Sequence, residues 1–269
     1  MNFTMNTTLR LLLPCLLALG SVLPAHAADT PAQVTARALH RRLGDAVVLV
    51  RATVAVTVTP GDQPAQTRDR TFEQLGTVVS TDGRVLLSAT SIDPAAVMDG
   101  RTVNTPAGPM KLAATSQVKE AFIVLADGTE IPAKVVLKDK DLNLALIAPV
   151  EPVTTAFVPV DVAASDTVEP VDEVVVLGRM DKSLDRASKV EIDAVAAVTT
   201  KPRPFISIHV NATGCPVFSV AGKFVGLTSG KIDAAADGDG EGVSMEPVVI
   251  PAATVQKFLA QAAAKPTAK

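Results

Sequence analysis

The sequence has no tryptophan and no tyrosine, and eight phenylalanines among 269 residues. That excludes the aromatic belt of a membrane interface and leaves the core to Val, Ala, Leu and Ile. Cysteine is nearly absent, at Cys15 and Cys215 only. Cys15 falls in a leader expected to be removed, so a single thiol remains and no intrachain disulfide can form. His40, His209 and Cys215 lack the spacing of zinc ligands, so neither a metal nor a cofactor is expected. The formal net charge is −3, which excludes the basic footprint of a nucleic-acid partner. After the leader, no run is long and apolar enough to span a bilayer.

What is present begins with that leader. Arg10 gives a positive start, Leu11 to Leu19 form a short apolar run, and Ala25-His26-Ala27 is a small-x-small cleavage site. Residues 1–27 therefore read as a secretory signal peptide cut after Ala27. The expected destination is export, to a periplasm or beyond the cell. About 240 residues remain, enough for one large domain or two small ones.

Gln33 to Arg42 reads as a short helix with Val34, Ala38 and Leu39 on one face and His40, Arg41 and Arg42 at its cation-favouring end. Gly44 is expected to close it. Residues 28–44 thus form an N-terminal helix and linker, with His40 exposed. Short Val/Ile/Leu runs separated by turn residues follow, with hairpin signals at Thr81-Asp82-Gly83 and Asp127-Gly128. Their number and spacing predict an all-β architecture, a barrel or sandwich. Residues 251–264 read as a terminal helix, with Val255, Phe258, Leu259 and Ala262 at helical spacing. The proline-bearing stretch from Glu151 to Asp172 suits a crossover between two β subdomains. Pro94 to Lys119, with little periodicity, reads as an insertion or mobile loop, and so does the Asp/Gly-rich stretch from Asp233 to Gly242. Asp233, Asp237, Asp239 and Glu241 offer hard oxygen ligands of the kind calcium takes. Their spacing matches no EF-hand, and the stretch is read as a solvated loop.

The chain resembles the HtrA/Deg branch of the trypsin-like serine proteases, over roughly Ala38 to Ala262. The segments that carry the resemblance are Asp45 to Val50, the hairpin from Gly76 to Thr90 and the hairpin from Val124 to Val136. Asp139 to Ile147, Val249-Ile250-Pro251 with its following helix, and Asn211-Ala212-Thr213-Gly214-Cys215-Pro216 complete the series. The last stands where the family has Gly-x-Ser-Gly-Gly-Pro. The resemblance implies a double antiparallel β-barrel with short terminal helices. Barrel one would run over about 45–150, barrel two over 165–250 and the whole domain over 45–264. The PDZ module that the family often adds is not expected.

By the same resemblance, Thr90 holds the histidine position of the catalytic triad, Asn143 the aspartate position and Thr213 the serine position. Hydrolysis by this route needs a nucleophile, a base to take its proton and a carboxylate to fix the base. Thr90 is no base at neutral pH, Asn143 carries no charge, and Thr213 without a base stays protonated. An internal threonine also lacks the N-terminal amine that threonine nucleophiles use. The oxyanion-hole donors would be the backbone N–H groups of Asn211 and Thr213. Ser229, Gly230 and Lys231 match the strand that pairs with substrate, and His209 would form part of the pocket wall. An ordinary edge strand and a structural histidine are the competing readings there. Cys215 reads as a small buried hydrophobe.

The expected function is that of an inactive pseudoprotease that binds a peptide, an unfolded protein or a partner protein. An endopeptidase with non-standard catalytic residues and a structural envelope scaffold stay open as alternatives. Oligomeric state is not legible.

Overall fold

The computed structural model describes residues 28–106, 108–233 and 244–264. The first element is α1 (Pro31–Leu43), followed by a 3-10 turn over Gly44–Ala46. Ala32, Ala36, Leu39 and Leu43 are its buried residues. Val34 is 55% exposed, so the inward face lies about one position off the face expected from Val34 and Ala38. His40 is half-buried rather than exposed, and its Nε2 meets the Ser188 hydroxyl at 2.7 Å.

The first β unit holds β1 (Val47–Pro60), β2 (Gln66–Val78), β3 (Val85–Ser88), β4 (Thr102–Thr105), β5 (Gly108–Val124), β6 (Glu130–Asp139) and β7 (Leu144–Pro149). Six of them close into an antiparallel barrel in the order β1-β2-β3-β7-β6-β5, with β5 returning to β1 and β4 added beyond β5. The second unit holds β8 (Glu173–Arg179), β9 (Ser188–Ala194), β10 (Ala197–Thr199), β11 (Phe205–Ser207), β12 (Pro216–Ser219), β13 (Phe224–Asp233) and β14 (Ser244–Pro251). These form a half-barrel sheet in the order β10-β11-β14-β13-β12-β8-β9. Then α2 (Ala252–Ala264) follows, burying Val255, Phe258 and Ala262. The architecture is all-β, a double antiparallel barrel arrangement with a short helix at each end. Between the two units, residues 150–172 form no strand, as expected of a crossover.

Side chains alternate across a strand, and here both faces of the central strands find apolar neighbours. Along β8, Val174 and Val176 point into the second unit beside Cys215, Val217 and Val249. Val175 and Leu177 point the other way, into a cluster with Leu39, Leu144, Leu146, Phe218, Phe224 and Phe258. In β7, Ala145 and Ile147 line the first barrel with Val50 and Ile123, while Leu144 and Leu146 join that shared cluster. Strands buried on two faces read as unbroken apolar runs, which is how Val174 to Leu177 and Leu144 to Ile147 look in the sequence.

The stretch from Pro94 to Lys119 is not a mobile loop. After a 3-10 turn at Pro94–Val97 it forms β4 and most of β5, which pairs with β1 from Leu49↔Val124 to Pro60↔Leu112. Its less exposed positions, Met110, Leu112, Ala114, Ser116 and Val118, alternate with exposed ones, and the alanine and serine in the middle, opposite Val58 and Val56, dilute the apolar contrast. A bulge between Thr53 and Val54 leaves Lys119 as the unpaired extra residue. Such a residue adds twist and pins the register. The acidic residues Asp237, Asp239 and Glu241 lie outside the described residues, as does the leader. Among the described residues no helix is long and apolar enough to cross a membrane, which says nothing of strands.

Candidate functional site

The three positions that the resemblance singles out converge on one short segment of β13, Thr228 to Gly230. Asn143 sits at the turn before β7 with φ +50°, a left-handed conformation that asparagine accepts more readily than most residues. It is 4% exposed. Its Oδ1 accepts from the Thr90 hydroxyl at 3.0 Å, and its Nδ2 donates to Gly230 O at 2.8 Å. Its own carbonyl accepts from the Ser229 hydroxyl at 3.0 Å and from Ala89 N–H at 3.0 Å. Thr90 and Asn143 are thus in direct contact, and Asn143 ties the first barrel to β13.

Thr213 reaches the same strand through its neighbour. Gly214 N–H donates to Thr228 O at 2.8 Å, and Gly214 O accepts from the Thr77 hydroxyl at 2.8 Å. Cys215 N–H donates to the Thr228 hydroxyl at 2.9 Å. The Thr213 hydroxyl bonds neither Thr90 nor Asn143. Among the described residues, the backbone N–H groups of Asn211 and Thr213 have no hydrogen-bond partner. Asn211 is exposed and Thr213 half-buried. Two donors are therefore free at the mouth of the turn.

The linked residues Thr90, Asn143, Ser229 and Gly230, and Thr213 beside them, include no titratable side chain. Nothing among them takes or gives a proton near neutrality, so hydrogen bonds are what these side chains offer. Ser229 and Gly230 are buried, and Lys231 is half-buried. Thr228 directs its N–H and C=O at Cys215 and Gly214, and Gly230, two residues on, directs its carbonyl to Asn143 on the same side. By the two-residue alternation of a strand, Ser229 and Lys231 direct their backbone groups at β14. The strand positions expected to meet a peptide are thus largely engaged within the fold.

His209 lies apart from this cluster. Its side chain is 78% exposed, with Nδ1 3.2 Å from Asp193 Oδ1. The other Asp193 oxygen accepts from His209 N–H at 2.7 Å and Val210 N–H at 2.9 Å. Burial acts to raise the Asp193 carboxyl, but the backbone and imidazole donors outweigh it and hold the group below its ordinary value. Lys189, Asp193, His209, Asn211 and Ala212 line an open groove of about 620 Å³. Asp193 lies on β9, 16 residues before His209, and no spacing in the chain marks the two as partners.

Cys215 is fully buried, and that burial pushes its thiol up to about 12. Almost no thiolate exists at neutral pH, and thiolate is the reactive form. Cys215 is expected to escape iodoacetamide at pH 8 in the folded protein and to be alkylated in urea, read by mass spectrometry of its peptide. Alkylation of the folded protein at the rate of a free thiol would contradict this placement.

Among the described residues no cluster of His, Cys, Asp and Glu could hold a metal ion. No family model matches the chain, and no curated protein matches it.

Proposed function

We propose that this chain is an exported, trypsin-like pseudoprotease of the HtrA/Deg type that binds a peptide or partner protein in the former cleft without cleaving it. The observation that carries the reading is the Asn143 side chain, which spans from the Thr90 hydroxyl to the Gly230 carbonyl. Where a hydrolase needs a base and a charged partner for it, this cluster has a neutral hydrogen-bond chain from Thr90 through Asn143 to β13. The free N–H groups of Asn211 and Thr213 keep the capacity to hold a carbonyl or carboxylate oxygen of a bound peptide.

A fluorophosphonate probe and unfolded casein test the chemistry. The expected outcome is no labelling and no cleavage, identical in wild type and Thr213→Ala. Labelling of wild type that is lost in Thr213→Ala would overturn the proposal. The groove-lining pair His209 and Asp193 favours the rival reading of an enzyme with a displaced base, and labelling lost in His209→Ala would establish it. Binding is tested with the same casein. Asn211→Pro removes one of the two free donors, and one net hydrogen bond is worth about 1 kcal/mol. The affinity is expected to fall roughly fivefold to tenfold. No casein binding by wild type, or binding indifferent to Asn211→Pro, would leave a scaffold role.

A further inference from the structure

β2 pairs with β1 from Val58↔Gln66 to Val47↔Thr77. On its other side it meets β3 only at Gly76, Thr77 and Val78. From Gln66 to Leu75 that second edge has no strand beside it among the described residues, and Gln66 to Thr71 are all exposed. The direction of the unused backbone groups follows from the hairpin. Val79 N–H donates to Arg84 O, toward β3, and the β1–β2 register runs without a shift. Two-residue alternation then turns the N–H and C=O of Thr67, Asp69, Thr71 and Glu73 outward.

The two faces of this edge differ. On one, Thr67 and Thr71 bond the hydroxyls of Thr57 and Thr53, and Asp69 pairs with Lys119 at 2.5 Å. On the other, Arg68 and Arg70 stand opposite Val56 and Val54. Neither arginine has a hydrogen bond or ion pair among the described residues. An open edge is a template for another strand, and the charges decide which. A second copy of β2 could continue the sheet only antiparallel, with residues of the same face opposed. Registers centred near Arg68 and Arg70 then set arginine against arginine, which is unfavourable.

We propose that the β2 edge from Gln66 to Glu73 docks an extended segment of another protein, added as an antiparallel strand with carboxylates at alternate positions opposite Arg68 and Arg70. Backbone bonds to Thr67, Asp69 and Thr71 supply the affinity, and the two arginines select the partner. The site is separate from the Asn143 cluster and does not depend on the reading proposed for it.

The test uses the full chain and a fluorescein-labelled peptide Thr-Glu-Val-Glu-Val-Thr, with Lys for both Glu as the control. Wild type is expected to bind the Glu peptide and not the Lys peptide. The R68E/R70E variant is expected to reverse that preference, with Kd for the Glu peptide raised at least about tenfold. Both arginines are exposed, so an unchanged melting temperature verifies the fold of the variant. Hydrogen exchange at Thr67, Asp69 and Thr71 is expected to slow on binding, and Asn211→Pro is expected to leave the binding intact. Equal affinity in wild type and R68E/R70E would overturn the proposal. So would binding without protection of those amides, or a dimer of the free chain in sedimentation that R68E/R70E dissolves.

Discussion

Gly214→Ala is expected to lower folding stability by about 4 kcal/mol or more, enough to unfold a marginal domain. Gly214 has φ +81°, and a non-glycine residue held in such a region costs on the order of 1–3 kcal/mol. Space adds the larger part. A methyl group there would sit 2.0 Å from Leu75 O and 2.7 Å from Leu75 C, and these are backbone atoms of β2 that cannot swing aside. Any relief would part the first barrel from the Asn211–Pro216 turn and break the Thr77 and Thr228 bonds to Gly214. In urea, the midpoint is expected to fall by about 1–2 M, or the variant to accumulate unfolded. A midpoint within about 0.3 M of wild type would show that the turn is not wedged against β2. Thr77→Val, which removes only the hydroxyl donor, is expected to cost about 1 kcal/mol and separates loss of the bond from the steric clash.

Arg179→Met is expected to cost about 3–5 kcal/mol, because three carbonyls lose their donor at roughly 1–3 kcal/mol each. The Arg179 side chain is 2% exposed. Its Nε donates to Val47 O at 2.6 Å, one terminal nitrogen to Arg186 O at 2.7 Å and the other to Gly44 O at 2.8 Å. The second terminal nitrogen also lies 3.0 Å from Asp45 Oδ1, but that carboxylate side chain is 76% exposed. An exposed partner contributes little, so the carbonyls rather than the ion pair hold the guanidinium. Asp45→Asn is accordingly expected to cost no more than about 1 kcal/mol. Arg179→Lys is expected to recover only a small part of the loss, because one ammonium cannot match a planar fork spread over three carbonyls. Thermal unfolding of the three variants checks this. An Asp45→Asn loss equal to that of Arg179→Met would mean that charge pairing, not carbonyl capture, is the main contribution.

The barrels were legible because their turns are. Asp82-Gly83 and Asp127-Gly128 sit where the hairpins close, with Gly83 N–H donating to Ser80 O and Gly128 N–H to Leu125 O. The first half of β2 and most of β5 were not. Gln66 to Thr71 bury no face, and in β5 the inward Met110, Leu112 and Val118 are interrupted by Ala114 and Ser116, so the apolar alternation by which a strand is recognised is absent from the first and diluted in the second. At the candidate site, Thr90, Asn143 and Thr213 drew notice only through a resemblance, since threonine and asparagine by themselves signal no chemistry. Arg179 carries no signal in the sequence, because arginine is ordinarily a surface residue. Its role depends on three carbonyls brought together by folding. The Asp193 contact with His209 is likewise a product of topology, made between β9 and the segment after β11.

The seat of α1 bears on the order of events in folding. The helix precedes the first barrel in the chain, yet it packs against β8 and β9. Arg179 grips Gly44 from 135 residues away. As the polypeptide emerges from its N-terminus, the first barrel's strands are complete by Pro149, while α1 has nothing to lie on until β9 has been made. Contacts this distant in sequence form slowly, because the loop must close before they contribute. The opening helix is therefore expected to join late, after the second unit has taken shape, with its apolar side uncovered until then; slow hydrogen-exchange protection of Ala36 to Leu43 relative to β7 during refolding checks this, and simultaneous protection would contradict it.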